Sequence, residues 1–524
     1  MPTANEDYWN NFTISDADIE RLYDYVLERG EPVPTHDLVH QTVETRVREE
    51  EIRRARYAQH ATPYQPKLTY ELGQHVIFSE LKDAEGLVTA LRPGENPRLP
   101  PFQVMAVQFS DGSTREFAGQ YELPHPLNEE RAATAVTTDL TPEQVLDQYG
   151  TRVETLLIAR LQRDKEFVEH QGMWLLRGLL VQVGEYNLNL AEAAIEPANS
   201  ALSTAELIQI LELASANVKR SAVVFSLEYA LRHDERFVNV GPKGEARWYL
   251  TRLEPPEARE VPKILQLLLP PAPVSLPREL ESILEDLEGE SEVNGTNAPK
   301  PGPTPVMTVA LTYPHRRAGT LPITSAVRSL FPETENPRML VTFVDEAKGT
   351  RFPGWYVKEG NYLAGLKQWY DQAKLNPGAY VQLTRRPEPL TVNIEYQAQR
   401  ERSLWVRVAR VDGGQLTFTQ LRKPLAHKYD EEMLIVIGDQ AALDQLHLTS
   451  RLDQPLDNLI VQVFPELAKL VPGGRVHAKT LFAAVNFARR IAPRAIFTAL
   501  VQSSAVVSSG GGYYVMETAR DFAR

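Results

Sequence analysis

The chain has 524 residues, which is too many for a single hydrophobic core, so its length predicts several domains. Its composition, 43% hydrophobic and 24% charged with no cysteine, is that of a globular protein and excludes disulfides, thiol nucleophiles and cysteine-ligated metal sites. A formal net charge of −13 argues against a protein that coats nucleic acid through its overall field.

Residues 1–62 predict a helix-turn-helix region. Ser15 with Asp18 three residues later is typical of a capped helix start, and Thr35 is placed to cap a second helix after a turn at Gly30. The first twenty residues are acidic and lack the basic and apolar blocks of a signal peptide, and nowhere do eighteen uncharged apolar residues run together. We therefore expect a cytoplasmic protein with no membrane partner.

Residues 63–130 predict a small β-barrel. Short runs such as "HVIFSEL" and "FQVMAVQFSDGSTREFAG" alternate apolar and polar residues between glycines and prolines, which is typical of strands. Asp111-Gly112 is expected to form a hairpin turn between two of them. In style the segment is similar to SH3-like, Tudor-like or KOW-like modules.

The rest of the chain divides by composition into five segments. We expect winged helices at 138–198 and 199–267, a Pro/Gly-rich acidic linker with the short helix "RELESILEDLE" at 268–306, a basic β-rich domain at 307–428, and a C-terminal winged-helix-like domain at 429–524. Residues 306–430 contain 18 Lys and Arg against 11 Asp and Glu, a local charge of +7 that leaves −13 − 7 = −20 elsewhere. This block is therefore expected to face phosphate.

One apolar ladder occurs twice and returns in weaker form. "LQRDKEFVEHQGMWLL" at 161–176 and "LRHDERFVNVGPKGEARWYL" at 231–250 share Leu, Asp, Phe-Val and Trp-x-Leu in the same order. In a third copy Ser503 replaces the Asp and Tyr513 replaces the Trp. The length difference falls between the Phe-Val pair and the Trp, as a hairpin loop would tolerate. Because helical runs precede each copy, the pattern predicts three winged helices, each closed by an aromatic ring.

The ladder resembles the winged helix of the bacterial RNA polymerase delta subunit and the wider HARE-HTH family, whose domains serve DNA and protein contacts alike. More weakly, "RMLVTFVDEAKGTRFPGWYVKEG" and "GLKQWYDQAKLNPGAYVQLTRR" resemble DNA-binding pseudobarrels of plant auxin-response-type regulators and of restriction-enzyme effector domains. The predicted fold class is thus α+β multidomain, with several winged helix-turn-helix modules, a small barrel and a β-rich pseudobarrel.

Basic side chains near the third helix and wing of each copy, and on the basic block, are the candidate nucleic-acid contacts. They are Arg152, Arg160, Arg163, Lys219, Arg220, Lys243, Arg247, Arg385, Arg386, Arg402, Arg407, Arg410, Lys479, Arg489, Arg490 and Arg494. A solvated helix face is the competing interpretation for each. In "RSLWVRVAR" the alternation predicts Arg402, Leu404, Val406, Val408 and Arg410 on one face, with Trp405 and Arg407 on the other.

Other candidate sites have simpler structural explanations. Trp174, Trp248 and Tyr513 are expected to close cores, and Asp164 and Asp234 to turn the chain. His36 and His40 lie one helical turn apart but lack a third metal ligand. Glu346 and Lys348, with Glu333 or Glu335, resemble the end of a nuclease motif, yet a charged hairpin turn also explains them. "SSGGGYY" at 508–514 is expected to be a turn and not a phosphate loop.

The sequence therefore predicts a non-enzymatic modular DNA-binding protein of transcription or genome regulation, with double-stranded DNA as partner and neither cofactor nor metal. Linked weak contacts would raise its affinity. The alternatives are a protein-interaction scaffold or RNA polymerase accessory factor, and a restriction-type nuclease or its specificity partner.

Overall fold

The computed structural model describes residues 6–78, 81, 84–96, 99–109, 112–128, 140–198, 200–213, 218–267, 274–287, 306–449 and 455–517, with the backbone alone at 6, 7, 50–61, 448 and 449. The chain is a mixed α+β protein that divides into two compact units, Met1–Gln182 with Leu213–Tyr229 and Val183–Glu212 with Ala230–Arg524. Within the described ranges, every helix is too short or too polar to cross a lipid bilayer.

In the sequence of the first unit, helices precede and follow the strands of a five-stranded sheet. Its elements are α1 (Glu6–Asn10), α2 (Asp16–Arg29), β1 (Val33–Pro34), α3 (Thr35–His60), β2 (Ala61–Pro63), β3 (His75–Phe78), β4 (Ala84–Pro93), β5 (Gln103–Phe109), β6 (Thr114–Gly119), α4 (Pro142–Leu161), β7 (Phe167–His170) and β8 (Met173–Leu176). Strands β2 to β6 pair in sequence order, and their alternating apolar residues form a small separate core around Phe78 and Met105. Of the predicted turn, Asp111 lies outside the described residues, and Gly112 has φ 79°.

Strand β1 joins the two ends of this unit. Val33 pairs with Trp174, so the sheet order is β1-β8-β7, and the five-stranded sheet is an insertion between α3 and α4. The pairing unites in one sheet residues that the sequence-based division placed in separate domains, 1–62 and 138–198. Ser15 and Asp18 form the predicted capping box of α2, whereas the Thr35 hydroxyl donates to the Gly172 carbonyl at 2.8 Å.

The second unit opens with the same order of elements. These are α5 (Glu185–Ala198), β9 (Leu202–Ser203), α6 (Thr204–Ile210), α7 (Arg220–Arg232), which begins in the first unit, β10 (Phe237–Asn239), β11 (Arg247–Leu250) and the short α8 (Pro256–Arg259). The sheet order is β9-β11-β10. Helix α5 starts this set of elements, although the sequence-based boundary at residue 198 separated it from them.

A seven-stranded sheet forms the middle of the second unit. After α9 (Arg278–Asp286) come β12 (Val306–Ala310), α10 (Tyr313–Ala318), β13 (Thr320–Pro322), α11 (Ser325–Arg328), β14 (Arg338–Asp345), β15 (Thr350–Val357), β16 (Tyr362–Ala364), α12 (Lys367–Gln372), β17 (Tyr380–Arg385) and β18 (Thr391–Tyr396). The strand order is β12-β17-β18-β14-β15-β16-β13, around a core that includes Phe343, Leu363 and Tyr370. Because this sheet ends at Tyr396, it is shorter than the predicted 307–428 domain.

The end of the chain holds a second sheet and a helical module. It contains β19 (Ala398–Asp412), β20 (Gln415–His427), β21 (Ile435–Ile437), α13 (Gln440–Thr449), α14 (Leu456–Ala468), β22 (Val476–His477), α15 (Ala478–Ala488), α16 (Pro493–Gln502), β23 (Val506–Gly510) and β24 (Tyr513–Met516). Strands β19, β20 and β21 form the order β20-β19-β21, and the last three strands form β22-β24-β23. Gly510, Gly511 and Gly512 all have positive φ, so "SSGGGYY" is a turn as predicted.

One arrangement thus occurs three times, and we call it the helix–hairpin module: helix, short strand, two helices, two-stranded hairpin. The short strand always pairs with the second hairpin strand, through Val33 and Trp174, Leu202 and Trp248, and Val476 and Tyr514. The ring equivalent to the two tryptophans is therefore Tyr514 and not Tyr513. A register shift between Ser508 and Gly510 moves the third hairpin by one residue, which spacing alone did not reveal.

The aromatic rings of the hairpins close the cores. Trp174 and Trp248 are each 1% exposed, and each indole Nε1 donates to a threonine hydroxyl, Thr35 at 2.9 Å and Thr204 at 3.1 Å. In the third module both positions change, since Tyr514 lies where the indole would be and Ala478 replaces the threonine. The donor and the acceptor are lost together, so no buried N–H is left behind.

The repeated aspartates shape the chain at the end of the third helix. Asp164 Oδ1 accepts from the Glu166 amide at 2.9 Å, and Asp234 Oδ1 accepts from the Arg236 amide at 2.9 Å. Ser503 Oγ accepts from the Ala505 amide at 3.2 Å. These side chains stabilise the same turn in each module, as the turn interpretation predicted.

Candidate nucleic-acid interface

The hairpin formed by β19 and β20, residues 398–427, is rich in exposed basic residues, and we call it the basic hairpin. Its alternation follows the sequence pattern: Val406 and Val408 face a small core with Leu434, while Trp405 lies on the opposite face. Trp405 is paired directly with Arg422 on β20. Residues paired across two strands lie side by side on one face of the sheet, so Trp405 and Arg422 form a joint surface.

The two ends of the basic hairpin have different surroundings. Near the turn, the paired residues Ala409 and Phe418 are both 0% exposed and belong to the core that α14, α15 and α16 share. Away from the turn, Arg402, Trp405 and Arg422 are exposed. One end is therefore anchored in the protein, and farther from the turn the face that carries Trp405 and Arg422 is open to solvent.

Arg407 anchors the middle of β19 to the segment that follows β20. Its guanidinium donates to the backbone carbonyls of Glu431 at 3.2 Å and Glu432 at 3.1 Å. Burial lowers the pKa of Arg407, and the Glu432 carboxylate opposes this effect. The Glu432 carboxylate also accepts from Thr480 at 2.6 Å and Tyr513 at 2.8 Å. Burial alone would raise the pKa of Glu432, but these hydrogen bonds lower it. Tyr513 thus joins the hairpin to the third module and does not close its core.

The basic hairpin carries six Lys and Arg against two acidic residues, a net charge of 6 − 2 = +4. Arg407 is the internal anchor. The other five cations form no ion pair with any described residue; they are Arg400, Arg402, Arg410, Arg422 and Lys423. An arginine without a carboxylate neighbour gives up no existing interaction when it contacts phosphate. The hairpin therefore carries five cations that no described carboxylate neutralises directly, distributed over both of its faces.

The first two modules present a less basic surface than the sequence predicted. Arg152, Arg163 and Arg220 are exposed, without an ion pair to any described residue. The others have carboxylate partners: Arg160 with Asp16 at 2.9 Å, Lys219 with Glu31 at 3.4 Å, Lys243 with Glu335 at 3.1 Å and Arg247 with Glu245 at 2.7 Å. Each of these cations must give up a carboxylate to bind phosphate.

The third module contradicts the predicted contacts at Arg489 and Arg490. Both side chains are buried, at 7% and 6% exposure, and Arg490 donates to the Leu265 carbonyl at 2.6 Å. Helix α16 is buried on nearly every side, so it has no free face to enter a groove. Part of the cover on α16 comes from α9, which contacts α16 and whose leucines Leu280 and Leu284 join the same core. A helix predicted to lie in a linker thus covers part of this module.

Helix α9 also pairs with the remaining basic residues of the third module. Glu281 lies 3.3 Å from Arg494, and Asp286 lies 3.5 Å from Lys479, which also contacts Asp430 at 3.3 Å. Within the predicted linker, residues 268–273 and 288–305 lie outside the described residues. Arg494 and Lys479 are therefore already neutralised by acidic side chains.

The predicted nuclease residues form a charged turn. Glu346 accepts from Arg386 at 2.7 Å, and Arg386 also binds Glu388 at 3.0 Å. Asp345 accepts from the Trp369 indole at 2.8 Å, and the turn ends at Gly349 with φ 63°. Arg385 donates to the backbone carbonyl of Ser329. These hydrogen bonds and ion pairs are those of a charged hairpin turn.

Nothing in the described part of the chain gathers three or more His, Asp or Glu in a metal-binding cluster. His36 contacts Asp37 at 2.8 Å, and His40 contacts Glu44 at 3.6 Å. Both histidines are exposed, so these are pairs on the surface of α3.

The candidate contacts predicted from the sequence include Arg402, Arg407 and Arg410 but not Arg422 and Lys423, which lie on the same hairpin. The missing information was the register of β20 against β19, which no spacing in one strand provides. Comparisons of the chain with protein-family models, with curated proteins and with solved structures found no match.

Proposed function

We propose that this is a non-enzymatic, modular DNA-binding protein of transcription or genome regulation whose principal nucleic-acid contact is the basic hairpin. The observation that carries the proposal is the group of five cations on one exposed hairpin, none of which pairs with a described carboxylate. In a chain of net charge −13, such a cluster is a local exception that suits a polyanion.

The three helix–hairpin modules also support the proposal. Their order of helix, strand, two helices and hairpin is that of a winged helix, which supports the winged-helix part of the proposal and its HARE-HTH resemblance. In this proposal Arg152, Arg163 and Arg220 add weak contacts in the first two modules, and the third module holds the hairpin in place. Linked weak contacts then raise the affinity. A cytoplasmic location belongs to the same proposal.

The expected salt dependence follows from the number of unpaired cations. If each of the five neutralises one phosphate, the slope of log K against log salt concentration is about −4.5 for duplex DNA. Affinity then falls about 500-fold between 50 and 200 mM salt. A smaller slope would mean that fewer hairpin cations reach the backbone.

The test is anisotropy of labelled random-sequence duplex DNA with the full chain, titrated with salt. The triple variant R400Q/R402Q/R422Q should lose about 2.7 from the magnitude of the slope, since each contact contributes about 0.9. The matched control R92Q/R252Q/R351Q removes the same charge from exposed arginines that are paired with Glu116, Glu196 and Glu388. Its slope should stay near that of the wild type. Absent binding at 50 mM salt, or equal slopes for both variants, would overturn the proposal.

A second candidate function is a protein-interaction scaffold, including an RNA polymerase accessory factor. The specific observation in its favour is the burial of α16 under α9, because that helix cannot read a groove. Purification of the tagged chain after nuclease treatment tests this alternative. Retention of polymerase subunits without DNA, together with no binding in the anisotropy assay, would favour the scaffold.

A further inference from the structure

Trp405 differs from every other tryptophan in the chain. The sequence contains six, of which Trp9, Trp174, Trp248, Trp355 and Trp369 are 0–4% exposed, whereas Trp405 is 68% exposed. An indole carries a large apolar surface and is rarely left in water without a partner. Packing does not explain Trp405, because the core at its level, with Val406, Val408 and Leu434, lies on the opposite face of the hairpin. The face of Trp405 itself is buried only nearer the turn, at Ala409 and Phe418.

The neighbours of Trp405 define what the ring could bind. Arg422 lies directly opposite on β20, and the next pair on one side is Ser403 with Pro424. On the other side Arg407 is held by the carbonyls of Glu431 and Glu432 and cannot swing over the ring without breaking these bonds. The indole is thus flanked by small residues and a fixed guanidinium, with a free cation beside it.

We infer that Trp405 and Arg422 form a stacking site for an unpaired nucleotide, so that the preferred ligand contains a single-stranded segment. The inference rests on the proposed function, since it assumes that the hairpin binds nucleic acid. An intact duplex presents phosphates but hides the faces of its bases, whereas an unpaired nucleotide presents a flat ring and a phosphate within one residue. The indole face and the guanidinium match these two groups.

Base stacking and charge both favour an oligonucleotide over an acidic peptide as the ligand. Peptide carboxylates would pair with the same cations, but a stack on the indole needs a flat ring at each position, and every base supplies one. Nucleic acid also presents a charge at every nucleotide, which suits the free cation beside the ring, Arg422, and the free cations on the opposite face of the hairpin, Arg402 among them. The observations therefore favour an oligonucleotide, and DNA and RNA share the required chemistry.

Loss of the indole should affect single strands selectively. One stacked base accounts for about a 5- to 150-fold change in affinity, so W405A should weaken single-strand binding within that range. W405F keeps an aromatic face and should lose much less. Y186A is the matched control, because Tyr186 is also an aromatic residue of the second unit and is 76% exposed. It should bind like the wild type.

The experiment uses the full chain with oligonucleotides of one sequence as single-stranded DNA, single-stranded RNA and blunt duplex, followed by anisotropy. Intrinsic fluorescence gives a second readout. Because only Trp405 is exposed, the emission that iodide quenches reports this residue, and a stacked base should quench it and protect it from iodide. The emission of the five buried tryptophans shows whether each variant is folded.

The outcomes are distinguishable. Tighter binding of single strands than of duplex, with loss in W405A, supports the inference, and the DNA and RNA arms identify which polymer is bound. Equal binding of duplex and single strands with no effect of W405A overturns the inference but leaves the proposed function intact if R400Q/R402Q/R422Q still shows the smaller salt slope. No binding of any oligonucleotide overturns both. Quenching of Trp405 by a Glu/Tyr-rich peptide and not by oligonucleotides overturns the inference in favour of a protein ligand.

Discussion

Replacement of Thr35 by valine tests the buried hydrogen bond that closes the first helix–hairpin module. The Thr35 hydroxyl accepts from the Trp174 indole at 2.9 Å and donates to the Gly172 carbonyl at 2.8 Å. Valine has nearly the same shape, so T35V removes both bonds without opening a cavity. In the variant the Gly172 carbonyl still accepts the hydrogen bond from the backbone amide of residue 35, which is 2.9 Å long in the wild type. The Trp174 N–H is left buried without an acceptor.

The expected decrease in the local free energy of opening follows from these contacts. An unsatisfied buried donor costs about 1–3 kcal/mol, and the lost hydroxyl–carbonyl bond adds about 1 kcal/mol. T35V should therefore lower the local free energy of opening by about 2–4 kcal/mol. In a W174F background the same substitution should cost only about 1 kcal/mol, because no donor remains to be stranded.

Hydrogen exchange of amides in α2, α3 and α4 measures this free energy locally, which avoids treating a chain of two units as two-state. Amides of the third module, where Ala478 and Tyr514 replace the pair, serve as an internal control and should keep their protection. If T35V costs the same with and without the indole, the bond to Trp174 contributes nothing and the reasoning fails.

Three further predictions concern stability. G512A should lower the free energy of unfolding by about 2–3 kcal/mol, since φ is 78° and a Cβ would lie 2.6 Å from Ile283 Cδ1; a thermal melt with unchanged midpoint would contradict it. R338M should cost about 3–5 kcal/mol in urea denaturation, because it strands the buried Glu254, and E254Q in the same chain should recover part of the loss. Burial opposes ionisation of Asp18, but hydrogen bonds from Ser15 and Arg46 outweigh it and lower its pKa below 3.8. The ionised Asp18 therefore stabilises the fold above pH 3.8, and this stabilisation disappears as the pH falls through the folded pKa. D18N should thus be destabilising at pH 7 in hydrogen exchange of α2, with the difference from wild type shrinking below pH 3.8.

Local patterns in the sequence predicted the parts of the fold that depend on local physics. The ladder Leu-Asp-Phe-Val-Trp identified buried rings and turn-forming aspartates because each of these roles is settled within a hairpin. The capping box at Ser15 and Asp18 was predictable for the same reason. What the sequence did not provide was the partner of β1, since Val33 pairs with Trp174 across an entire inserted sheet.

In the candidate site, too, only the features that local sequence determines were predictable. Alternation placed Trp405 and Arg402 on opposite faces of a strand, and the strand has that arrangement. Whether a face is covered depends on elements far away in the sequence, and the leucines of α9 are the clearest example. They join the core of the third module, and Arg490, which spacing alone had marked as a surface residue, is buried with its guanidinium on the distant Leu265 carbonyl.

The insertion of a sheet between α3 and α4 has a consequence for biosynthesis. During translation, α2 and α3 emerge long before the hairpin that covers their apolar side, and β1 has no neighbour until Trp174 has left the ribosome. Strands β2 to β6 pair only with one another, so they can assemble during that interval. We expect nascent chains stalled before residue 174 to bind chaperones through Leu38 and Val43, and to be released once the hairpin is made.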